Sequence, residues 1–231
     1  KWGLDALAST SATYDFSGLS VVGAGAITLN RAITLTGLTI NNYLTLNVSG
    51  LTLISSTING VPASNDSLTT STSTSFSGCA VNVSGVTAGN RWCSTTTPVI
   101  FSNCAFTGGG GHAIRITTPG TYTITGNTWT SFGTDGSTGA AILNDSAGLV
   151  TLVIAGGGGV PTIKNGTSAT TTITYAAVST TITVKDITTG AIISGARILV
   201  TASDNTGPMP FEKSTTITRS LVTATATCTA H

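Results

Sequence analysis

The chain offers eight carboxylates for acid–base or metal chemistry, Asp5, Asp15, Asp66, Asp135, Asp145, Asp186, Asp204 and Glu212. They are scattered, with no adjacent pair and no acid at a repeated register. Cleaving a polysaccharide takes two facing carboxylates, or acids that hold Ca²⁺ beside a basic residue. Asp135 and Asp145 come nearest, because a ten-residue separation can place them on neighbouring sides of one turn of chain. Asp135-Gly136 and Asn144-Asp145 nevertheless read more simply as turn residues. His112 and Arg115 lie together in GGGGHAIRI. A histidine beside a base suits proton transfer, but the sequence places no Cys, Ser or Asp to be activated by it, so a solvent-facing pair on an edge is the simpler expectation. No catalytic, cofactor-binding or metal-binding residue is therefore assigned.

The remaining reactive types point the same way. Cys79, Cys93 and Cys104 with His112 could ligate zinc, but no C-x₂-C knuckle is present. The simpler reading makes these cysteines small buried hydrophobes, and the alternative is a disulfide from Cys93 to Cys79 or Cys104 closing the loop with Asn90-Arg91-Trp92. Cys228 completes the set of four, too few for a disulfide framework. Gly108–Gly111 and Gly156–Gly159 lack the Lys-Ser/Thr and helix of a phosphate cradle, so their expected role is to turn corners at positive φ. Of the tryptophans, Trp129 reads as core and Trp92 as the surface aromatic able to stack on sugar. The N-x-S triplets at Asn47, Asn65 and Asn82 are expected by chance in so Ser/Thr-rich a chain.

What must position these residues is set by composition. Charged residues make up 7% of the 231, against roughly 25% in an average domain, while 40% are hydrophobic. Thr, Ser and Asn must supply the polar surface. Thr is β-branched and favours strands, and the straight-chain helix formers are nearly absent. A net charge of +1 without a basic cluster gives no electrostatic footprint for nucleic acid or an anionic membrane, and no apolar run is long enough to span a bilayer as a helix. Val, Ile and Leu recur at short intervals, which argues against disorder except across residues 62–75. The Lys1 start, with neither initiator Met nor signal-peptide pattern, suggests a processed or incomplete product.

Internal repeats carry the most information. From residue 26 the chain reads AITLNR, AITLTG, LTINNY, LTLNVSG, LTLISS, in which apolar and polar residues nearly alternate. Ile33/Leu35, Leu38/Ile40, Leu44/Leu46 and Leu51/Leu53 are the expected inward positions. Each block predicts a short half-buried strand ending in a corner, and three of them close a triangular coil of about 18–20 residues. A longer repeat follows: FSGCAVN from Phe76, FSNCAFT from Phe101 and ITGNTWT from Ile124. Its alignment predicts three side-chain ladders, Phe76/Phe101/Ile124, Cys79/Cys104/Asn127 and Val81/Phe106/Trp129.

GTYTITGNTWTSFG, with the FSNCAF block before it, resembles the coils of right-handed parallel β-helix proteins of the pectate-lyase-like superfamily, over roughly residues 76–160. After NGTSATTT the phrase TVKDITTGAIISGARILV, with a turn at Asp186–Gly190, resembles the opening strands of carboxypeptidase-regulatory-like or bacterial immunoglobulin-like domains. The resemblance implies an all-β chain: an N-terminal cap or attachment segment at 1–25, a right-handed β-helix at 26–165, a linker at 166–180, and an incomplete Ig-like sandwich at 181–231, truncated because such a domain takes roughly 80–100 residues.

The combination resembles structural proteins of tailed bacteriophages. It implies a non-catalytic, cofactor-free protein on the virion exterior, as a capsid decoration protein or a tail spike or fibre component. Expected partners are two further copies in a homotrimer and the major capsid protein or tail proteins, with a host-surface glycan as a further candidate. The alternatives are a tailspike polysaccharide depolymerase and a bacterial surface adhesin or S-layer component. A β-helix by itself does not choose among them.

Overall fold

The computed structural model describes residues 13–22, 25–29, 32–59, 66–70, 73–96, 98–176, 178–181, 188–191, 198–202, 216–219 and 224–228. The chain divides into two units, Lys1–Thr174 and Tyr175–His231. Strands in chain order are β1 (Thr13–Asp15), β2 (Ser20–Val22), β3 (Ala26–Leu29), β4 (Thr34–Thr36), β5 (Thr39–Asn41), β6 (Thr45–Val48), β7 (Thr52–Ile54), β8 (Thr57–Asn59), β9 (Leu68–Thr70), β10 (Ser75–Ser77), β11 (Ala80–Asn82) and β12 (Arg91–Thr95). They continue with β13 (Phe101–Ser102), β14 (Ala105–Thr107), β15 (His112–Ile116), β16 (Gly120–Thr125), β17 (Thr128–Thr130), β18 (Ile142–Asn144), β19 (Leu149–Ala155), β20 (Ile163–Asn165) and β21 (Thr170–Tyr175).

As far as β19 every third strand joins the same sheet, and the first unit is a parallel β-solenoid of about seven turns. The first sheet runs β1-β4-β7-β10-β13-β16-β19-β21, the second β17-β14-β11-β8-β5-β2, and the third β20-β18-β15-β12-β9-β6-β3. Within T-L-T and T-I-N strands the central residue is buried and both flanking polar residues are half exposed. This is the period-2 pattern of a sheet with one dry face. Leu35, Ile40, Leu46, Leu53 and Ile58 are completely buried.

The corner from the first sheet to the second is the same in five successive coils. Leu35-Thr36-Gly37-Leu38-Thr39-Ile40, Leu53-Ile54-Ser55-Ser56-Thr57-Ile58, Phe76-Ser77-Gly78-Cys79-Ala80-Val81, Phe101-Ser102-Asn103-Cys104-Ala105-Phe106 and Ile124-Thr125-Gly126-Asn127-Thr128-Trp129 are one unit repeated. The third residue of each has positive φ: 73° at Gly37, 48° at Ser55, 64° at Gly78, 52° at Asn103 and 65° at Gly126. Its amide donates across to the next coil, as in Gly37 N to Ile54 O at 2.9 Å, Gly78 N to Ser102 O at 2.9 Å and Asn103 N to Thr125 O at 2.8 Å. The chain thus bends without losing a ladder hydrogen bond, and the fourth side chain turns inward.

Coil length varies elsewhere. Leu35 pairs with Leu53, eighteen residues on, whereas Phe76 pairs with Phe101, twenty-five on, and Ile124 with Ile154, thirty on. Coils are therefore longer than 18–20 residues beyond the first few, the extra chain falling at the two corners of the third sheet. Pairing already includes β1 and β2, within residues 1–25, and β21 joins the first sheet from within 166–180. Leu44 departs from the alternation and is 55% exposed, while Tyr43 is buried in its place. Asn42, at φ 50°, turns the chain there and resets which residue faces in.

Aromatic rings fill the middle of the solenoid. Phe76 and Phe101 stack at 4.9 Å between centroids, Phe101 meets Phe106 edge-on at 5.4 Å, and Phe106 stacks on Trp129 at 4.6 Å.

The second unit holds, among its described residues, β22 (Val178–Thr181) paired antiparallel with β24 (Thr216–Arg219), and β23 (Ile198–Ala202) paired antiparallel with β25 (Ala224–Cys228). Thr188 and Thr189 form a turn before Gly190 at φ 70°. Asp186 of that expected turn lies outside the described residues.

Two substitution sets test this packing by chemical denaturation. Phe101→Ala, in a side chain 1% exposed, is expected to cost about 3–5 kcal/mol. At the corner, a Cβ on Gly126 would sit 2.0 Å from Asn103 Oδ1, so Gly126→Ala adds a clash to the roughly 1–2 kcal/mol of left-handed strain. Ser55→Gly, at the equivalent corner, is expected to cause no loss.

Candidate functional site

The charged residues described in the first unit gather on one face, Asp15 on the first sheet excepted. Among the described residues Asp66, Arg91, Arg115, Asp135, Asp145 and Lys164 all lie on the third sheet or on the turns entering and leaving it. Parallel pairing aligns Ser94, Arg115, Leu143 and Lys164 in one half-exposed row. Asp66 closes one end: Arg91 grips it with two hydrogen bonds, Nε to Oδ1 at 3.1 Å and an Nη to Oδ2 at 2.7 Å, and Ser94 Oγ donates to Oδ1. Arg115 reaches Asp145 Oδ2 through Nε at 2.8 Å and through an Nη. Burial alone would raise the Asp66 carboxyl, but the hydrogen bonds from Arg91 and Ser94, with the positive fields of Arg91 and Arg115, outweigh it and hold the pKa below the usual carboxylate value.

Beneath this face the alternation of strand side chains breaks down, and neighbouring residues are buried together. Trp92 and Cys93 are both fully buried, as are His112, Ala113 and Ile114. The loop at residues 83–90 lies against Gly109–Gly111, which allow it to come close. A Cβ on Gly109 would be 2.6 Å from Ser84 O, and one on Gly111 would be 2.5 Å from Thr87 O. None of Gly108–Gly111 has positive φ. Their role is close backbone approach rather than cornering, a correction to the expectation from sequence; of the second run, Gly156 and Gly157 do turn the chain at 61° and 70°.

Two further expectations change. Trp92 is no surface aromatic: it is 0% exposed and donates its Nε1 hydrogen to Tyr43 Oη at 2.8 Å. His112 is not solvent-facing: it is buried, with Nδ1 2.6 Å from Ala140 O. Burial disfavours its imidazolium, the Ala140 carbonyl works in the opposite sense, and Lys164 and Arg91 add repulsion; the net pKa lies below the ordinary 6.5. A tautomer with hydrogen on Nδ1 satisfies the contact.

The ladder residues are placed as follows. Phe76 pairs with Phe101, and Ile124 follows at the next coil, where Ser102 pairs with Thr125. Val81 pairs with Phe106 and Phe106 with Trp129. Cys79, Cys104 and Asn127 succeed one another at the inner corner, and Leu38 and Ser56, not included in the sequence alignment, precede them in the same column. The G/S/N at the preceding position was the signal that would have extended the repeat backward. Asn127 donates from Nδ2 to Phe101 O at 3.0 Å and accepts from Cys104 N at 2.9 Å. Cys93 belongs to a different column, between Leu68 and Ile114, and is a free thiol like Cys79 and Cys104. The proposed bridge from Cys93 is therefore excluded by its position on the third sheet. Burial pushes its thiol pKa up to about 12, with a smaller contribution from Asp66.

Asp135 and Asp145 do not form a facing pair of free carboxylates. Asp135 Oδ1 accepts from Ile163 N at 2.6 Å and precedes a turn at Gly136, while Asp145 is held by Arg115. Asn144 accepts from Ser146 N at 3.2 Å in the side-chain-closed turn its residue type favours. Among the described residues no three of His, Cys, Asp and Glu gather to hold a metal ion, and no helix is long and apolar enough to cross a membrane. A general acid needs a raised carboxyl pKa, the opposite of that at Asp66. What the face offers is a row of arginine and hydroxyl hydrogen-bonding groups. No family model, curated protein or solved structure matches the chain.

The pH dependence follows from His112. Its folded pKa is depressed, so as pH falls the unfolded chain binds the proton first and stability drops once pH passes below about 6.5. Asp66, also depressed, contributes stability above the ordinary value of 3.8 that is lost as pH falls through its lower folded value. Unfolding free energy of the wild type is expected to decline between about pH 7 and 5. In His112→Gln this decline is expected to flatten, leaving the loss below about pH 4, as measured by denaturant titration at each pH.

Proposed function

We propose that this protein is a non-catalytic structural component of the exterior of a phage particle, either a capsid decoration protein or part of a tail spike or fibre. The observation that carries the reading is a dry interior of stacked side-chain columns enclosed by short strands whose outward residues are mostly Thr, Ser and Asn. Such a body is a rigid spacer, since each coil is held by its neighbours along its length. The coil sense in this reading is right-handed, as parallel crossovers overwhelmingly are. Residues 181–231 are read as an Ig-like sandwich, with the two antiparallel pairs of the second unit as the supporting feature. Assembly into a homotrimer with contacts to the major capsid protein or tail proteins belongs to the same proposal.

A second reading is favoured by the third sheet. Its row of Ser94, Arg115 and Lys164 beside Asp66 and Asp145 suits hydroxyl and carboxylate groups of a host-surface glycan. The depolymerase form of that reading is disfavoured by the arginine-bound carboxylates, and the adhesin or S-layer alternative shares the same surface.

Immunogold electron microscopy on source particles, with antibody to this chain, tests the main reading. Label at fixed positions on heads or tails is expected; label confined to a cell envelope overturns it. Incubation with host capsular polysaccharide is expected to leave chain length unchanged, and shortening that depends on Asp66 or Asp145 would establish the depolymerase instead.

A further inference from the structure

Cys79 and Cys104 occupy the same inner corner of two consecutive coils. The residues that follow them, Ala80 and Ala105, are direct parallel partners, as are Val81 and Phe106. Both side chains are buried, 1% exposed each. Their sulfurs point along the same direction: Cys79 Sγ lies 3.4 Å from Leu53 O and Cys104 Sγ 3.5 Å from Phe76 O, each the carbonyl of the first-sheet core residue one coil earlier. Adjacent strands lie about 4.7–4.9 Å apart, inside the roughly 4.4–6.8 Å Cα separation that a disulfide spans. Cys93 provides contrast, because its column neighbours are Leu68 and Ile114 and no sulfur adjoins it.

We infer that Cys79 and Cys104 are a dithiol that closes into an inter-coil disulfide when the chain meets a small-molecule disulfide such as oxidised glutathione. The thiolate of Cys79 attacks one glutathione sulfur, forming a mixed disulfide and releasing the first glutathione. The Cys104 sulfur then attacks the Cys79 sulfur and releases the second. Two electrons pass from the protein to the oxidant, and the two thiol protons leave on the two glutathione products. Both thiols are 1% exposed in the folded coil, so the exchange takes place while the chain folds, before they are buried. Thiolate, not thiol, is the attacking species.

The consequence is specific to this architecture. Residues 79 to 104 make one complete coil, from the corner of the first and second sheets back to the same corner. The bond turns that coil into a covalent ring. A solenoid unravels by losing coils from its ends, because each coil touches only its neighbours. The ring cannot peel away strand by strand, so oxidation sets a stop in the middle of the column where Phe76, Phe101 and Phe106 meet.

The test uses the full chain refolded from denaturant in a glutathione redox buffer, so that the thiols meet oxidant before they are buried, followed by peptide mapping under non-reducing conditions. A Cys79–Cys104 cross-linked peptide is expected, together with loss of two free thiols, unchanged in Cys93→Ser. The oxidised protein is expected to unfold at a temperature several degrees above the reduced protein and to leave a protease-resistant fragment that includes residues 79–104. Cysteines that stay reduced in the refolded protein, or a bridge that uses Cys93 or Cys228, overturn the inference. A Cys79–Cys104 bond that lowers the unfolding temperature overturns its stabilising role.

Discussion

The solenoid depends on a corner that bends the chain without breaking its hydrogen-bond ladder. At Gly37, Ser55, Gly78, Asn103 and Gly126 the backbone enters the left-handed region, yet each amide still reaches a carbonyl of the next coil. A turn that sacrificed this bond at every coil would leave a column of unpaired amides against a dry core, at a cost that recurs with each turn. Keeping it fixes the register of both flanking sheets together. The distance from the first-sheet core residue to the second-sheet core residue is then the same from Leu35–Ile40 to Ile124–Trp129.

Variation is confined to the other corners, and variation there made the charged face. Loops inserted before the third sheet lie against one another from coil to coil, Gly109 against Ser84 and Gly139 against Gly110. Trp92 turns into the core against Phe101 and Phe106, His112 meets the Ala140 carbonyl, and Arg91, Arg115 and Asp66 stay partly exposed. The side chain column at the constant corner performs a different task. Cys79, Cys104 and Asn127 direct polar atoms toward carbonyls of the first sheet, so what reads as a line of small residues also satisfies backbone acceptors.

How much of this is legible in the sequence depends on which corner is read. Phe76 and Phe101 stand in the same heptapeptide, so their pairing follows from alignment, and the L-T-I-N alternation marks short half-buried strands directly. Trp92 and His112 are misjudged by the same logic. Period-2 reading assumes one residue in and the next out, whereas in β12 and β15 consecutive residues are buried, Trp92 turning to Phe101 and Phe106 and His112 to the Ala140 carbonyl. The glycines at 108–111 were the available signal: a run with no side chains marks backbone lying against backbone. Ser55 and Asn103 conceal the corner repeat for the converse reason, because residues with side chains occupy conformations that glycine would mark openly.

Amide hydrogen exchange, resolved to single residues by NMR, tests the constant corner most directly. Gly37, Ser55, Gly78, Asn103 and Gly126 are five turn residues that, in an ordinary set of loops, would exchange quickly. The account requires their amides to be protected to the same degree as those of the strands on either side. Rapid exchange at these five, with slow exchange retained in the flanking strands, would show that the ladder is interrupted at each corner and that register is set by something else.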